Sequence, residues 1–250
     1  MKIIHFSFKK SRHWGMISDD LIIFLKKPPY GKIELSSNTI PLNSVKYLAP
    51  ATPTKIILCG LNYIDHALEL KMKPPQEPVI FLKPPSALIA NQQNILHPAG
   101  VKRLDYEAEL AVVIRKKAKN IKPREVNKFI LGYTCLNDVT ARDIQKKDGQ
   151  WTRAKSFDTF CPVGPWCETS LDPSDLRIRS YLNGKLMQDS RTNNFIFPVD
   201  FLVSFISKIM TLYPGDVIST GTPKGVSKMK PKDRIEINIQ GIGSLVNNVL

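Results

Sequence analysis

Short apolar segments bounded by turn-forming residues recur along almost the whole chain. They are shorter than ordinary helices, and Gly, Pro, Asn or Asp lies beside most of them, which is typical of β-strands. The segments are IIHFSF, WGMISDDLIIFL with a turn at Ser18-Asp19-Asp20, KIILCGLNY, VIFLK, EAELAVVIR, FILGYTCLND, LRIRSYLNG, DVISTGT and RIEINI. Helical segments are few: PVDFLVSFISKIM, opened by Pro198, and a turn or two in DHALELKMK. The pattern predicts an α+β fold that is mostly β.

Prolines mark a boundary near residue 50. The first apolar segments end at PPYG, and the next stretch stops at Pro50 and Pro53 before KIILCGLNY begins. We therefore predict a small N-terminal β-rich domain over 1–52 and a larger catalytic domain over 53–250. A chain of 250 residues is long enough to bury a sizeable core in this arrangement.

The composition is typical of a globular protein in a reducing compartment. No window offers the ~20 uncharged apolar residues that span a bilayer, and lysines interrupt the first apolar run, so we predict no membrane association and a cytoplasmic location. The cysteines contain no C-x-x-C pair, which argues against a zinc site or a disulfide framework and predicts reduced core thiols. They are Cys59, Cys135, Cys161 and Cys167.

The chain is strongly basic, with 36 Lys and Arg against 22 Asp and Glu and a net charge of +14. Nucleic acid, an anionic membrane surface and acidic small molecules are the partners that such a charge suggests. The basic residues form short clusters in loop-like segments without interleaved aromatic residues, unlike a platform for stacking bases. We interpret them as a solvated surface that can steer an acidic substrate, and we predict no nucleic-acid partner.

Two glutamates share one face of a predicted strand. Glu107 and Glu109 lie at i and i+2 in LDYEAELAVVI, so their side chains point the same way with Cα atoms about 7 Å apart. A solvated strand face explains this pair, and so does a shared cation. Asp138, at the end of FILGYTCLND, could supply a third carboxylate and so favours a shared cation. Such an oxygen-only site suits Mg²⁺ or Mn²⁺, with Ca²⁺ as a further candidate.

A second motif offers a group that moves protons. His66 and Glu69 in DHALE are three residues apart, so they face the same side of a helical turn and the carboxylate can orient the imidazole. A solvent-exposed His–Glu pair explains the same spacing. For His5, His13 and His97 we favour a structural role.

These segments, taken in order, resemble the fumarylacetoacetate hydrolase family. The resemblance runs from about residue 55 to the C-terminus and rests on GLNYIDHALE, VIFLKPPS, LDYEAELAVVI, GYTCLNDVTARDIQ, WTRAKSFDTFCPVGPW, LMQDSRTNNFIF and PGDVISTGTPKGV. It implies a mixed β-roll catalytic domain, usually a homodimer. The first 50 residues resemble the small β extension of the short bacterial-type members, which argues against fumarylacetoacetate itself as the substrate.

The resemblance also implies roles for individual residues. It places His66 and Glu69 on a lid over the substrate, where the pair activates a water in hydrolytic members. Cations fix a substrate carboxylate by charge-assisted hydrogen bonds, while Gln and Thr donate to oxygens without adding charge. The implied metal ligands are Glu107, Glu109 and Asp138, the catalytic residues are His66, Glu69 and Lys155, and the substrate-binding residues are Lys83, Arg142, Gln145 and Thr222.

The expected function is that of a divalent-metal-dependent enzyme acting on a small 2-oxo acid, or its enol, through a metal-bound enolate. Hydrolysis of a C–C bond, decarboxylation and keto–enol isomerisation all pass through that species, so the sequence leaves the three reactions open. Hydroxydienedioate isomerases and acylpyruvate hydrolases are the corresponding types. The alternative is a non-catalytic, basic nucleic-acid-binding protein on the same fold, in which clustered carboxylates and a His–Glu pair would have no use.

Overall fold

The structure is a computed structural model that describes residues 1–250. The N-terminal segment contributes five strands, β1 to β5, at Lys2–Phe8, Ser11–Ser18, Leu21–Leu25, Leu35–Pro41 and Lys46–Leu48. The next eight, β6 to β13, are Ile56–Cys59, Ile80–Lys83, Leu88–Ile89, Asn94–Ile95, Leu104–Asp105, Ala108–Ile114, Ile130–Asn137 and Thr140–Ala141. The last seven, β14 to β20, are Cys161–Glu168, Arg177–Leu182, Lys185–Arg191, Val217–Ser219, Lys228–Met229, Arg234–Ile239 and Gly243–Val249.

Helices are short and few, as the sequence predicts. The α-helices α1 to α4 are Ile64–Glu69, Arg142–Asp148, Thr152–Lys155 and Val199–Ile209. Short 3₁₀ helices occur at Leu42–Ser44, Pro85–Ala87, Pro123–Lys128, Pro173–Asp175 and Thr192–Asn194. No helix has the length and apolar character needed to cross a membrane. The predicted α+β, mostly β fold is confirmed.

Twelve strands form one large mixed sheet. Its main path runs β4-β3-β2-β1-β14-β12-β11-β17-β6-β7, with β5 beside β1 and β8 beside β14. The N-terminal strands are continuous with the rest of this sheet, because β1 pairs antiparallel with β14 at Lys2 and Glu168. A five-stranded sheet, β16-β15-β19-β20-β9, and a three-stranded sheet, β13-β10-β18, complete the fold.

Strand β11 shows why the two larger sheets stack. Leu110 and Val112 point into the main core, where they pack with Ile178 and Ile237 from the five-stranded sheet. Ala111 and Val113 alternate with these residues along the strand and point to the opposite face. There they belong to a second apolar cluster that includes residues of the N-terminal strands. Since successive side chains of a strand point to opposite faces, an uninterrupted apolar run predicts burial on both faces.

The structure differs from the sequence prediction in several elements. LDYEAELAVVI is not one strand, because the pairing stops at Asp105 and resumes at Ala108, leaving Tyr106 and Glu107 between β10 and β11. Strand β14 was not predicted, since Pro162 and Pro165 lack the N–H of a strand interior. The sequence prediction also missed β16, β20 and the helices α2 and α3.

Candidate active site

Three acidic side chains meet where β11 begins and β12 ends. One carboxylate oxygen from each of Glu107, Glu109 and Asp138 lies within 4.8 Å of the others, and all three residues are buried. Backbone pairing creates this convergence: the N–H of Asp138 donates to the carbonyl of Glu107 at 2.9 Å. The side chain of Asn137 also accepts from the N–H of Glu107 at 2.9 Å, which holds the residue outside the regular strand.

Cationic side chains compensate two of the carboxylates. Lys155, at the end of α3, places Nζ 2.9 Å from Oε2 of Glu107 and 2.5 Å from Oδ2 of Asp138. Arg142, the first residue of α2, donates to Oε1 of Glu107. Burial alone favours a neutral Glu107, but the charges of Lys155 and Arg142 outweigh burial and hold its pKa well below the ordinary value. Glu107 is therefore a fixed anion.

Glu109 has no cationic partner. Its Oε2 accepts hydrogen bonds from the hydroxyl of Ser219 and from the N–H of Gly221 at 3.0 Å. Burial, followed by the charges of Asp138 and Glu107, raises its pKa well above the ordinary value. A carboxylate so placed favours a nearby positive charge, and the three oxygen donors fit a hard divalent cation such as Mg²⁺ or Mn²⁺.

Asp138 is flanked by two buried lysines that behave differently. Besides Lys155, the Nζ of Lys83 lies 2.7 Å from Oδ1 of Asp138 and donates to the carbonyls of Val139 and Phe160. Burial lowers the pKa of Lys83, whereas for Lys155 the charges of Asp138 and Glu107 outweigh burial and raise the pKa. Oδ1 of Asp138 makes no hydrogen bond of good geometry, so a lone pair stays free for another ligand.

His66 and Glu69 form a hydrogen-bonded pair on α1. Nδ1 of His66 lies 2.8 Å from Oε2 of Glu69, and the other carboxylate oxygen accepts the N–H of Gly225 at 3.0 Å. The helix is anchored by Asp65, whose Oδ2 accepts the hydroxyl of Ser190 at 2.6 Å. Because a carboxylate only accepts, Nδ1 of a neutral His66 carries the proton and Nε2 keeps its lone pair.

A cavity of about 350 Å³ joins these groups. Its lining combines polar and apolar residues, which matches the usual construction of a site for a small ligand. The polar lining consists of His66, Glu107, Arg142, Gln145, Lys146, Lys155 and Thr222, and the apolar lining includes Leu61, Leu70, Met72, Phe81 and Trp151. A larger cavity of about 710 Å³ lies elsewhere, beside Tyr133 and Asp172, and holds none of the predicted site residues.

The structure brings most of the predicted residues together. Glu109 and Asp138 stand next to Glu107, just outside the lining of the cavity, and Glu69 reaches it through His66. Lys83 does not line the cavity, because it is fully buried behind Asp138.

Several residues of the site were missed from the sequence. Lys146 follows Arg142 by four positions on α2, and that helical spacing could have revealed it. Asp105, which accepts from Nε of Arg142 at 2.9 Å, sits two residues before Glu107. No local pattern marked Ser219, Gly221 or the aromatic lining residues Phe81 and Trp151, because their roles depend on segments that are distant in sequence.

Family comparisons agree with this architecture. Residues 55–250 match the model described as Fumarylacetoacetate (FAA) hydrolase C-terminal, and residues 1–50 match the one described as Rv2993c-like, N-terminal. The mitochondrial oxaloacetate tautomerase Fahd2a of Rattus norvegicus is 41% identical over 223 residues, which cover 84% of this chain and 71% of that protein.

Solved structures show the same fold. The 5-carboxymethyl-2-hydroxymuconate delta-isomerase from Mycobacterium smegmatis is 41% identical with a TM-score of 0.95, covering 100% of this chain and 99% of the other. The maleylpyruvate hydrolase from Sphingobium sp. SYK-6, solved with manganese(II) and pyruvate, is 28% identical with a TM-score of 0.83 and the same coverage. The resemblance inferred from the sequence is confirmed, and the chain belongs to the fumarylacetoacetate hydrolase family.

Proposed function

We propose that this chain is a divalent-metal-dependent enzyme that acts on a small 2-oxo acid, or its enol, through an enolate, and that keto–enol isomerisation is its reaction. One observation carries the proposal: His66, which is hydrogen-bonded to Glu69, lines the same cavity as Glu107, Arg142 and Lys155. A group that moves a proton thus faces a set of residues suited to an anionic substrate.

The carboxylate cluster is the proposed cofactor site. Glu107, Glu109 and Asp138 would hold Mg²⁺ or Mn²⁺, and Glu109 supports this because its buried carboxyl has no cationic side chain as a partner. When bound, such a cation supplies positive charge that stabilises negative charge on the 2-oxygen of the substrate. The related maleylpyruvate hydrolase, solved with manganese(II) and pyruvate, makes Mn²⁺ the first ion to test.

The other residues of the cavity bind and orient the substrate. Arg142 and Lys155 present cationic groups to its carboxylate, and Gln145 and Thr222 offer neutral hydrogen bonds. Lys83 would act indirectly, by holding Asp138 in place. The volume of about 350 Å³ suits a compact acid.

His66 would transfer the proton. Glu69 accepts from Nδ1, which leaves the Nε2 lone pair to remove a proton from the carbon next to the 2-oxo group. Delivery of a proton to the oxygen of the resulting enolate gives the enol, and the reverse transfers regenerate the keto form. Isomerisation needs only this transfer and a stabilised enolate. The isomerase and tautomerase relatives support it as the first choice.

C–C bond hydrolysis is the second candidate. The maleylpyruvate hydrolase relative supports it, and the His66–Glu69 pair has the composition needed to polarise a water molecule. Because the His66 side chain keeps 15% of its surface exposed, water can reach the imidazole. Decarboxylation would use the same enolate.

A substrate panel tests the proposal. Enol and keto forms of oxaloacetate, an acylpyruvate and a hydroxydienedioate would be assayed with Mg²⁺, Mn²⁺ or EDTA, with isomerisation followed by ultraviolet absorbance. We expect metal-dependent isomerisation. Release of pyruvate from the acylpyruvate alone would favour hydrolysis, and failure to turn over any compound with any metal would contradict the proposal.

We also propose partners on physical grounds. The substrate would be a small 2-oxo acid or dicarboxylate, and the active unit would be a homodimer. Leu68, Val79, Leu82 and Ile209 are large apolar side chains left exposed in the single chain, which favours a second copy over nucleic acid as a neighbour. Light scattering of the purified protein tests the dimer, and a monomer at micromolar concentration would contradict it.

A further inference from the structure

Gln188 connects two parts of the site without lining the cavity. It lies in β16 with no exposed surface, and its side chain spans from β11 to the loop that follows β17. Oε1 accepts the N–H of Ala108 at 3.1 Å, between Glu107 and Glu109. Nε2 donates to the hydroxyl of Thr222 at 2.9 Å and to the carbonyl of Pro223 at 2.8 Å.

The orientation of this amide is fixed by its backbone partners. The N–H of Ala108 can only donate, so the atom facing it is the amide oxygen. The carbonyl of Pro223 can only accept, so the atom facing it is the amide nitrogen. A flipped amide would leave both backbone groups unpaired in a buried environment, which is strongly disfavoured.

This orientation determines the role of Thr222. Because Nε2 of Gln188 can only donate, Oγ1 of Thr222 accepts that bond, and its own hydrogen is left for another acceptor. The structure contains no other hydrogen bond at Oγ1 of Thr222, and Thr222 lines the cavity while keeping only 5% of its surface exposed. The remaining acceptor must come from the contents of the cavity.

We infer that Gln188 is a positioning residue that makes Thr222 a hydrogen-bond donor to an anionic oxygen of the substrate. The inference rests on the proposed function and adds to it a residue that does not touch the substrate. Without Gln188, the hydroxyl of Thr222 could donate or accept a hydrogen bond, so it could pair with either an accepting or a donating group of the ligand. With Gln188 in place, Thr222 offers only its hydrogen, so the site favours an accepting oxygen over a donating group, and the bond is strongest when that oxygen belongs to a carboxylate or an enolate.

A double-mutant cycle on ligand affinity tests this role. The probe is oxalate, a planar dianion that resembles the enolate of a 2-oxo acid, titrated calorimetrically into protein saturated with Mn²⁺. We expect Gln188→Met and Thr222→Val each to weaken binding about tenfold, the usual worth of one hydrogen bond to a charged group. The double variant should also bind about tenfold more weakly, not about a hundredfold, because both changes remove the same interaction.

Two further variants separate positioning from structural damage. Thr222→Ser keeps the hydroxyl and should restore near wild-type affinity. Ser180→Ala removes the buried hydroxyl that accepts the backbone N–H of Gln188 at 3.1 Å but leaves the amide intact, so it should lower Tm without changing affinity.

Each outcome is decisive. Additive losses in the double variant, or an unchanged affinity in Gln188→Met, would show that Gln188 is only a scaffold residue and overturn the inference. If Gln188→Met does not fold, the Thr222 variants still test the proposed hydrogen-bond donor. Unchanged affinity in Thr222→Val would overturn the inference, whereas reduced affinity that Thr222→Ser restores would support it. Failure of the wild-type protein to bind oxalate with Mn²⁺ would contradict the proposed function itself.

Discussion

The backbone N–H of Asp138 donates to the carbonyl of Glu107 at 2.9 Å, so the two carboxylates are held together by main-chain pairing. Lys155 then bridges the two carboxylates, because its Nζ donates to both. Glu109, two residues along, completes the cluster without a cation of its own. Groups of the chain itself therefore hold the carboxylates in place, and the parts of the site are separately testable.

Metal binding should stabilise the folded protein. A ligand that binds only the native state adds about 2.7 kcal/mol at a concentration of 100 times Kd, so Mn²⁺ should raise Tm measurably. Glu109→Gln should abolish this shift, whereas Glu77→Gln, which changes an exposed glutamate outside the cluster, should retain it. Differential scanning fluorimetry with Mn²⁺ and with EDTA measures both. An identical Tm in the two conditions for the wild-type protein would contradict the metal site.

Lys146 should select substrates that carry a second carboxylate. Arg142 and Lys155 already pair with acidic residues, whereas Lys146 lines the cavity with no carboxylate within ion-pair distance. Lys146→Met should raise KM about fivefold for 2-oxo diacids, the upper range for an exposed ion pair, and leave KM for an acylpyruvate monoacid unchanged.

Lys147→Met is the matched control for this change, because Lys147 is exposed on the same helix and does not line the cavity. Equal changes of KM for diacids and monoacids would assign Lys146 a role other than recognition of a second carboxylate.

The basic surface should be dispensable for catalysis. Lys119 donates to the carbonyl of Lys208, and Nζ of Lys117 lies 6.0 Å from the centre of the Tyr213 ring. These two lysines therefore already have contacts with other residues of the chain. Replacing Lys116, Lys117 and Lys119 by Gln should leave kcat nearly unchanged. Duplex or RNA binding at physiological salt that is tight in the wild type and lost in this variant would support a nucleic-acid partner instead.

The buried thiols should make the protein less stable at alkaline pH. Burial raises the pKa of Cys59 to about 12 and also raises the pKa values of Cys135 and Cys167 above their ordinary range. In the unfolded chain these thiols ionise near pH 8.5, so their contribution to stability is complete below about pH 8.5 and decreases above it.

Tm should therefore fall as the pH rises above about 8.5, and Cys135→Ala should reduce the slope of that fall. Thiol labelling by a disulfide reagent at pH 8 should be slow in the native protein and fast after unfolding in guanidinium. Fast labelling of all four thiols in the native state would contradict the burial of these residues.

Local patterns in the sequence predicted the parts of the site that lie close together along the chain. The two-residue spacing of Glu107 and Glu109 and the three-residue spacing of His66 and Glu69 are short-range signals, and the structure places each pair together. Asp138 entered the cluster as a carboxylate at the end of another predicted strand, whereas the family resemblance was needed to bring Lys155 to the same point, because no periodicity links residues so far apart.

The unpredicted features depend on long-range pairing. Strand β14 contains Pro162 and Pro165 and still lies between β1 and β12, where irregular registers leave room for residues without an N–H. Gln188 contacts positions 80 and 34 residues away, and no local pattern marks it. Lys83 was predicted to bind substrate, and its burial behind Asp138 became visible only in three dimensions.

Formation of the enolate itself is the most direct test of the account. The measurement is proton NMR of a 2-oxo acid in D₂O, in which loss of the C3 proton signal reports enolate formation whatever reaction follows. We predict rapid exchange with the wild-type protein and Mn²⁺, and none above the buffer rate with EDTA. His66→Ala should slow exchange by roughly 10²–10⁴ while leaving substrate affinity similar, the usual effect of removing a positioned base. Exchange no faster than in buffer with Mn²⁺ present, or an unchanged rate in His66→Ala, would contradict the account.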